Sequence, residues 1–361
     1  MVRVDAMAGA LFLFSFTASA QEQSAPSSLS PSPMQHEHQG GFMQGGHHHS
    51  VAKGVALDAK VDSAARLVTI RVGPMTMPAH TSHTSMPQPP DFAWNVSFDG
   101  WLLAYHPRLV DESGGAVPGT LLHHTAFWNE NRADFLCPNK EEHIFGAGSE
   151  MADWAELPGF GYRVTKGDQI RIETMIYNPT ATSYDKVYLE VAIPYQELSS
   201  ASGSSLDRRN IYPAWMDVQS CGNSSYDVPP GKSEKSGNVT VKYNGFLLGV
   251  GGHMHDYGKQ LVLRDATRNE TVATLDAKSD LRGHLESVPV KLFVQQGGYN
   301  FSAGDVLIIS ATYQNPTGRL LPRGAMGIAV GYFVPADESQ MVALRRKTLA
   351  SPDRTGISRD H

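Results

Sequence analysis

The sequence predicts an all-β protein built as two β-sandwiches in tandem. Three observations carry that reading. Apolar runs such as "LVTIRVG", "QIRIETMIY", "KVYLEVAIPY", "KQLVLRD" and "DVLIISATY" alternate with period two, are rich in β-branched residues and stop at Gly, Asp, Asn or Pro. Gly (34) and Pro (22) are frequent and only 18% of the 361 residues are charged, which leaves few long helical patterns. Two blocks also echo each other, "KGDQIRIETMIYNPTATSYDKVYLEVAIPY" and "AGDVLIISATYQNPTGRLLPRGAMGIAVGYFVP". Each runs Gly-Asp, an alternating strand with a Tyr near its end, Asn-Pro-Thr, a loop and a second apolar strand. Repetition at a long period points to a duplicated fold. Proline cannot sit in a central ladder, so Asn-Pro-Thr ends the strand in both copies.

The elements follow in chain order. Residues 1–20, "MVRVDAMAGALFLFSFTASA", carry Arg3, an apolar stretch and Ala18-Ser19-Ala20, the pattern of a secretory signal peptide cleaved after Ala20. No later run reaches the roughly 18 apolar residues of a membrane span, so an exported chain, periplasmic or secreted, is expected. Residues 21–51 are rich in Ser, Pro, Gln and Gly and hold His36, His38, His47, His48 and His49. That composition predicts disorder; it is read either as a plain solvated linker or as a loose metal collector. Strand signals fill 52–198, the Ser/Gly stretch "SSASGSSLDRRN" at 199–210 marks a boundary, a second β-rich block occupies 211–337, and 338–361 is a polar tail. A net charge of −6 without a basic stripe argues against a nucleic-acid partner. Cys137 and Cys221 fall in different blocks; an exported protein can keep a disulfide, so a bridge between the blocks and two unpaired thiols both stand open.

The chemistry concentrates in "LGVGGHMHDYGKQLVLRD" (248–265). On a strand, residues i and i+2 share a face. His253 and His255 therefore aim at one point while Met254 faces away, and a metal ion is the usual user of such a pair. Neutral imidazoles suit Zn, Cu, Fe and Ni. Met326 is the soft third donor of the second block; a His, His, Met set favours copper, particularly Cu(I), while methionine alone reads equally as core. Gly251 and Gly252 would let a ligand or backbone approach closely.

Two further constellations occur. His123 and His124 in "TLLHHTAFWNE" are adjacent, so a shared ion requires a strand end or a bulge. Met75, Met77, Met86, His80 and His83 cluster within "GPMTMPAHTSHTSMPQPP", which reads as a Met-rich loop or a copper-holding segment.

With these motifs in view, the chain from about 65 to 337 resembles the copper type II, ascorbate-dependent monooxygenases, the peptidylglycine α-hydroxylating and dopamine β-monooxygenase family with its bacterial relatives. "LLHHTAFW" is similar to the family's His-His segment, which implies that His123 and His124 bind an electron-transferring copper. "GGHMHDYGKQLVLRD" is similar to its His-x-His segment, and "AMGIAVGYFVP" to its methionine strand, which implies that His253, His255 and Met326 bind the catalytic copper. The resemblance implies two jelly-roll sandwiches, one or two coppers per chain, O2 as co-substrate, ascorbate or another reductant, and a small-molecule or peptide substrate in the cleft between sandwiches. It departs at one strand, "ETMIYNP", where Met175 stands in place of the family's third histidine of the first site. His80, His83, His106 or His143 is a candidate substitute within the same block, and spacing alone does not choose among them.

Two other functions fit the same residues. A copper-binding or sequestering protein would keep one good site and use the His-rich segment to collect metal. A hydrolase on the same double jelly-roll would need paired carboxylates in a cleft, for which Glu141, Glu142, Glu150 and Asp153 are the candidates.

Overall fold

The computed structural model describes residues 50–82, 85–148, 153–198, 208–221 and 224–344. The leader, the histidines of 21–49, His83, Glu150, most of the 199–210 boundary and the tail beyond 344 lie outside the described residues. The described residues all fall in one compact unit. The regular structure of the described residues is almost entirely strand, with helix limited to three short 3-10 segments, and no described helix is long and apolar enough to cross a membrane.

The strands sort into two sets of stacked sheets, each around its own core. In the N-terminal set, an eight-stranded sheet that includes Leu67–Met77 and Tyr184–Glu197 stacks on a four-stranded sheet. The four-stranded sheet places Phe92–Asn95 next to Gln169–Ile176, followed by Leu122–Ala133 and Glu141–Ala147. Three of these carry the site and are labelled β1 (Leu122–Ala133), β2 (Glu141–Ala147) and β3 (Gln169–Ile176). Alternation decides which side chains enter the core. Ile170, Ile172 and Ile176 of β3 and Phe127 of β1 are buried, whereas Arg171, Glu173 and Met175 lie on the opposite face. Met75, Met77 and Met86 are buried in this first core, so the Met-rich stretch is packing, not a loop that presents thioethers.

The C-terminal set repeats the plan. One sheet contains β4 (Tyr212–Asp217), β5 (Gly245–Met254) and β9 (Gly327–Pro335), with β9 in the middle. The other contains β6 (Gly258–Asp265) and β7 (Val306–Asn315), flanked by Gly231–Thr240 and Glu270–Asp276. β8 (Leu321–Ala325) pairs with Tyr226–Val228.

The echo between blocks is structural. Asn178 donates from Nδ2 to the Thr182 carbonyl (2.8 Å) and accepts at Oδ1 from the Thr180 hydroxyl (2.7 Å) and amide. Asn315 donates to the Arg319 carbonyl (2.8 Å) and accepts from the Thr317 hydroxyl (2.7 Å) and amide. Both asparagines are buried. Each satisfies the backbone of the turn that proline forces at the strand end, which is why both blocks carry Asn-Pro-Thr.

The sandwiches meet through apolar residues. Leu248, Ile328, Val330 and Val334 of the second set belong to the first core, with Trp215, Met326 and Tyr332 packed on it. Cys137 and Cys221 form a disulfide between the turn after β1 and the turn after β4, which settles the open pairing in favour of a bridge.

Candidate metal centre

Both histidine pairs open onto one cavity of about 220 Å3, lined by His123, His124, His253, His255 and Met326 together with Trp128, His143, Glu173, Trp215 and Ile328. The sheet carrying β1–β3 forms one wall. β4, β5 and β9 supply the other.

His123 and His124 share a face because the strand is irregular there. β3 pairs Thr174 with Thr125 and Met175 with His124, then Ile176 with Leu122, which leaves His123 as the extra residue of a bulge. The bulge is the device that adjacent histidines require. Their Nδ1 atoms lie 3.0 Å apart. Two nitrogens each about 2.0–2.1 Å from one ion span a similar distance.

Glu173 sets the tautomer of His124. Its Oε1 stands 3.1 Å from His124 Nε2, so Nε2–H donates to the carboxylate and Nδ1 keeps its lone pair on the His123 side. Glu173 is in turn 3.6 Å from Arg171, whose guanidinium also pairs with Asp91, Glu130 and Glu141. Sequence reasoning missed Glu173. The signal was its place two residues before Met175 on one strand face.

His253 and His255 aim to one side as their spacing requires, with ring centroids 5.4 Å apart, while Met254 is buried in the second core. His255 lies just past the end of β5, and Met326 lies between β8 and β9. The adjacent glycines serve packing. A Cβ on Gly252 would meet Val288 and Leu261 within 3 Å, and one on Gly251 would meet Val290.

The pairs approach each other across the sandwiches: the His123 and His255 rings are 6.4 Å apart. Among the described residues, no three His, Cys, Asp or Glu side chains are grouped closely enough to hold one ion. A set of two imidazoles and one thioether lies outside that class of donors.

The remaining sequence candidates separate. Met175 faces His124 across the ladder but is not among the cavity-lining residues. His106 is on the surface beside Asp153 (2.8 Å), and His80 is exposed. His143 lines the cavity, clamped between Trp215 (3.6 Å) and Trp128 (4.0 Å). Burial holds its imidazole well below the ordinary histidine range, and its Nε2 is buried without a hydrogen-bond partner. Of the candidate acids, the three among the described residues lie apart. Glu141 lines this cavity, Glu142 lines a separate one of about 90 Å3 with Arg132, Tyr212 and Glu338, and Asp153 pairs with His106. A third, apolar cleft of about 250 Å3 lies along Gly249, Gly251, Val330 and Tyr332.

No protein-family model matches this chain, and no curated protein does. Among solved structures, a chain from the atomic structure of Sulfolobus Turreted Icosahedral Virus is similar at 8% identity and a TM-score of 0.33, over 80% of this chain and 95% of that one. A likeness at that level bears on neither mechanism nor partner.

Proposed function

We propose that this chain is an exported copper-dependent monooxygenase-like protein that hydroxylates a C–H bond of a small substrate, using O2 and a reductant such as ascorbate. One observation carries the reading: two histidine pairs, remote in sequence and on different sandwiches, converge on one cavity that also receives Met326. All four imidazoles are half-buried on that one cavity, and a bound metal ion is the usual user of histidines gathered in this way.

The donor chemistry suits copper. His253, His255 and Met326 form a soft set for Cu(I), and His123 and His124 form an all-nitrogen pair. Bound there, copper would supply the one-electron and O2 chemistry. The protein's own part is the rest. Glu173 fixes the His124 tautomer. Trp128, Trp215 and Ile328 give the cavity apolar walls beside Glu141 and Glu173, a lining that suits a largely apolar substrate carrying a polar group.

A copper-sequestering role is the second reading, and Met175 favours it. The first pair has a methionine across the ladder instead of a third histidine, so an ion there would be held by fewer imidazoles. Air reoxidation separates the two. Protein loaded with Cu(I) and supplied with ascorbate should consume O2, and His253→Ala should abolish the uptake. Cu(I) that stays reduced in air for hours would decide for sequestration.

A further inference from the structure

The antiparallel ladder between β5 and β9 pairs His253 with Ile328 and Met254 with Gly327, and ends there. One more step in this register would set His255 opposite Met326. A side chain enters instead. The Tyr313 hydroxyl accepts from the His255 amide (2.9 Å) and from the Met326 amide (3.2 Å), and it donates to the Met326 carbonyl.

Tyr313 comes from β7, in the opposite sheet. It is 1% exposed, and its ring meets Tyr226 edge-on at 6.1 Å. The ring therefore crosses the second core, and only its polar tip reaches the strand ends. The three bonds use the hydroxyl's donor and both of its lone pairs.

We infer that Tyr313 is a positioning residue, a hydroxyl wedge that ends the ladder one pair early and sets the separation of His255 and Met326. Residues opposite each other on an antiparallel pair point to one face, so their spacing fixes how the imidazole and the thioether converge. Remove the hydroxyl and three backbone groups lose their partner. They then close the missing ladder pair or stay without a partner away from water, which is the costlier outcome. Closing the pair moves both donors together. The metal consequence rests on the copper reading above; the backbone consequence does not.

The test compares full-chain wild type, Tyr313→Phe and Tyr226→Phe. Tyr226 packs on Tyr313, and its buried hydroxyl has no hydrogen-bond partner, so it controls for loss of a core hydroxyl. In metal-free protein, Tyr313→Phe should shift the His255 and Met326 amide resonances and the Met326 methyl, and Tyr226→Phe should not. With Cu(I) supplied from its bicinchoninate complex, Tyr313→Phe should bind about 10–100-fold more weakly, the range seen when a partner that orients a ligand is removed. The copper–sulfur component of its X-ray absorption spectrum should fall. Unchanged amide and methyl resonances overturn the proposal, as does unchanged Cu(I) affinity when wild type binds. If wild type binds no Cu(I), the copper reading fails and the metal-free resonances alone decide. Should Tyr313→Phe not fold, 3-fluorotyrosine at 313 keeps the ring and weakens the hydroxyl as an acceptor. Its His255 amide shift must then move, and a static one counts against the wedge.

Discussion

The imidazoles of His123 and His255 meet edge-to-face with ring centroids 6.4 Å apart, one from each sandwich. This places the two histidine pairs on one cavity, and the proposed function makes them parts of one centre. Residues in a shared centre are not independent, so their substitutions should not add. We predict that His123→Ala and His255→Ala each lower Cu(I) affinity and that the double variant loses less than the product of the two. A titration of the four proteins of this cycle measures the coupling; strictly multiplicative losses would place the pairs in separate sites.

Glu173 should matter through His124. Glu173→Ala removes the acceptor on Nε2 and frees the ring to change tautomer, so copper binding at the first pair should weaken by about 10–100-fold. Glu173→Gln can still offer a carbonyl oxygen and should weaken it less. Competition with a chromogenic Cu(I) chelator ranks the three proteins.

The Cys137–Cys221 disulfide joins the sandwiches beside the cavity, where Cys137 is part of the wall. Replacing both cysteines by serine should lower the unfolding free energy by about 2–4 kcal/mol, the usual value of a native cross-link. Guanidinium unfolding monitored by tryptophan fluorescence reports the change, and an unchanged midpoint would show that the apolar interface alone holds the sandwiches.

Glu142 should make stability pH-dependent. Burial is the largest influence on it and pushes its carboxyl up to about 7, against the pull of Arg132 and the hydrogen bond from Tyr162. The folded state therefore holds a proton that the unfolded state releases near pH 4.5. Stability is full below that pH and falls as pH rises toward 7, by roughly 1–3 kcal/mol. Asp134, raised to about 6 by burial, adds a similar loss at lower pH. Glu142→Gln should flatten the decline between pH 5 and 8 in thermal melts taken across that range.

Much of this architecture is legible in the sequence, and the rest is not for definite reasons. Alternation marks the strands, and Asn178 and Asn315 announce the duplication because each turn needs the same buried amide. His253 and His255 are legible because strand period alone fixes their common face. The common face of His123 and His124 is not, because it depends on a bulge opposite Met175 and Ile176, a register between distant strands. Glu173 and Tyr313 escape for the same reason: each acts through a partner that only the fold brings near. Met75, Met77 and Met86 show the converse, a cluster that looks like chemistry and proves to be core.

The most direct measurement is copper per chain in the full-length protein, after Cu(I) loading and desalting, for wild type and for His253→Ala/His255→Ala. The histidines of the N-terminal segment contribute equally to both, so the difference belongs to the cavity. The account predicts that the variant holds at least one copper fewer. Equal copper in the two proteins would contradict it and leave the four imidazoles without the metal that explains their convergence.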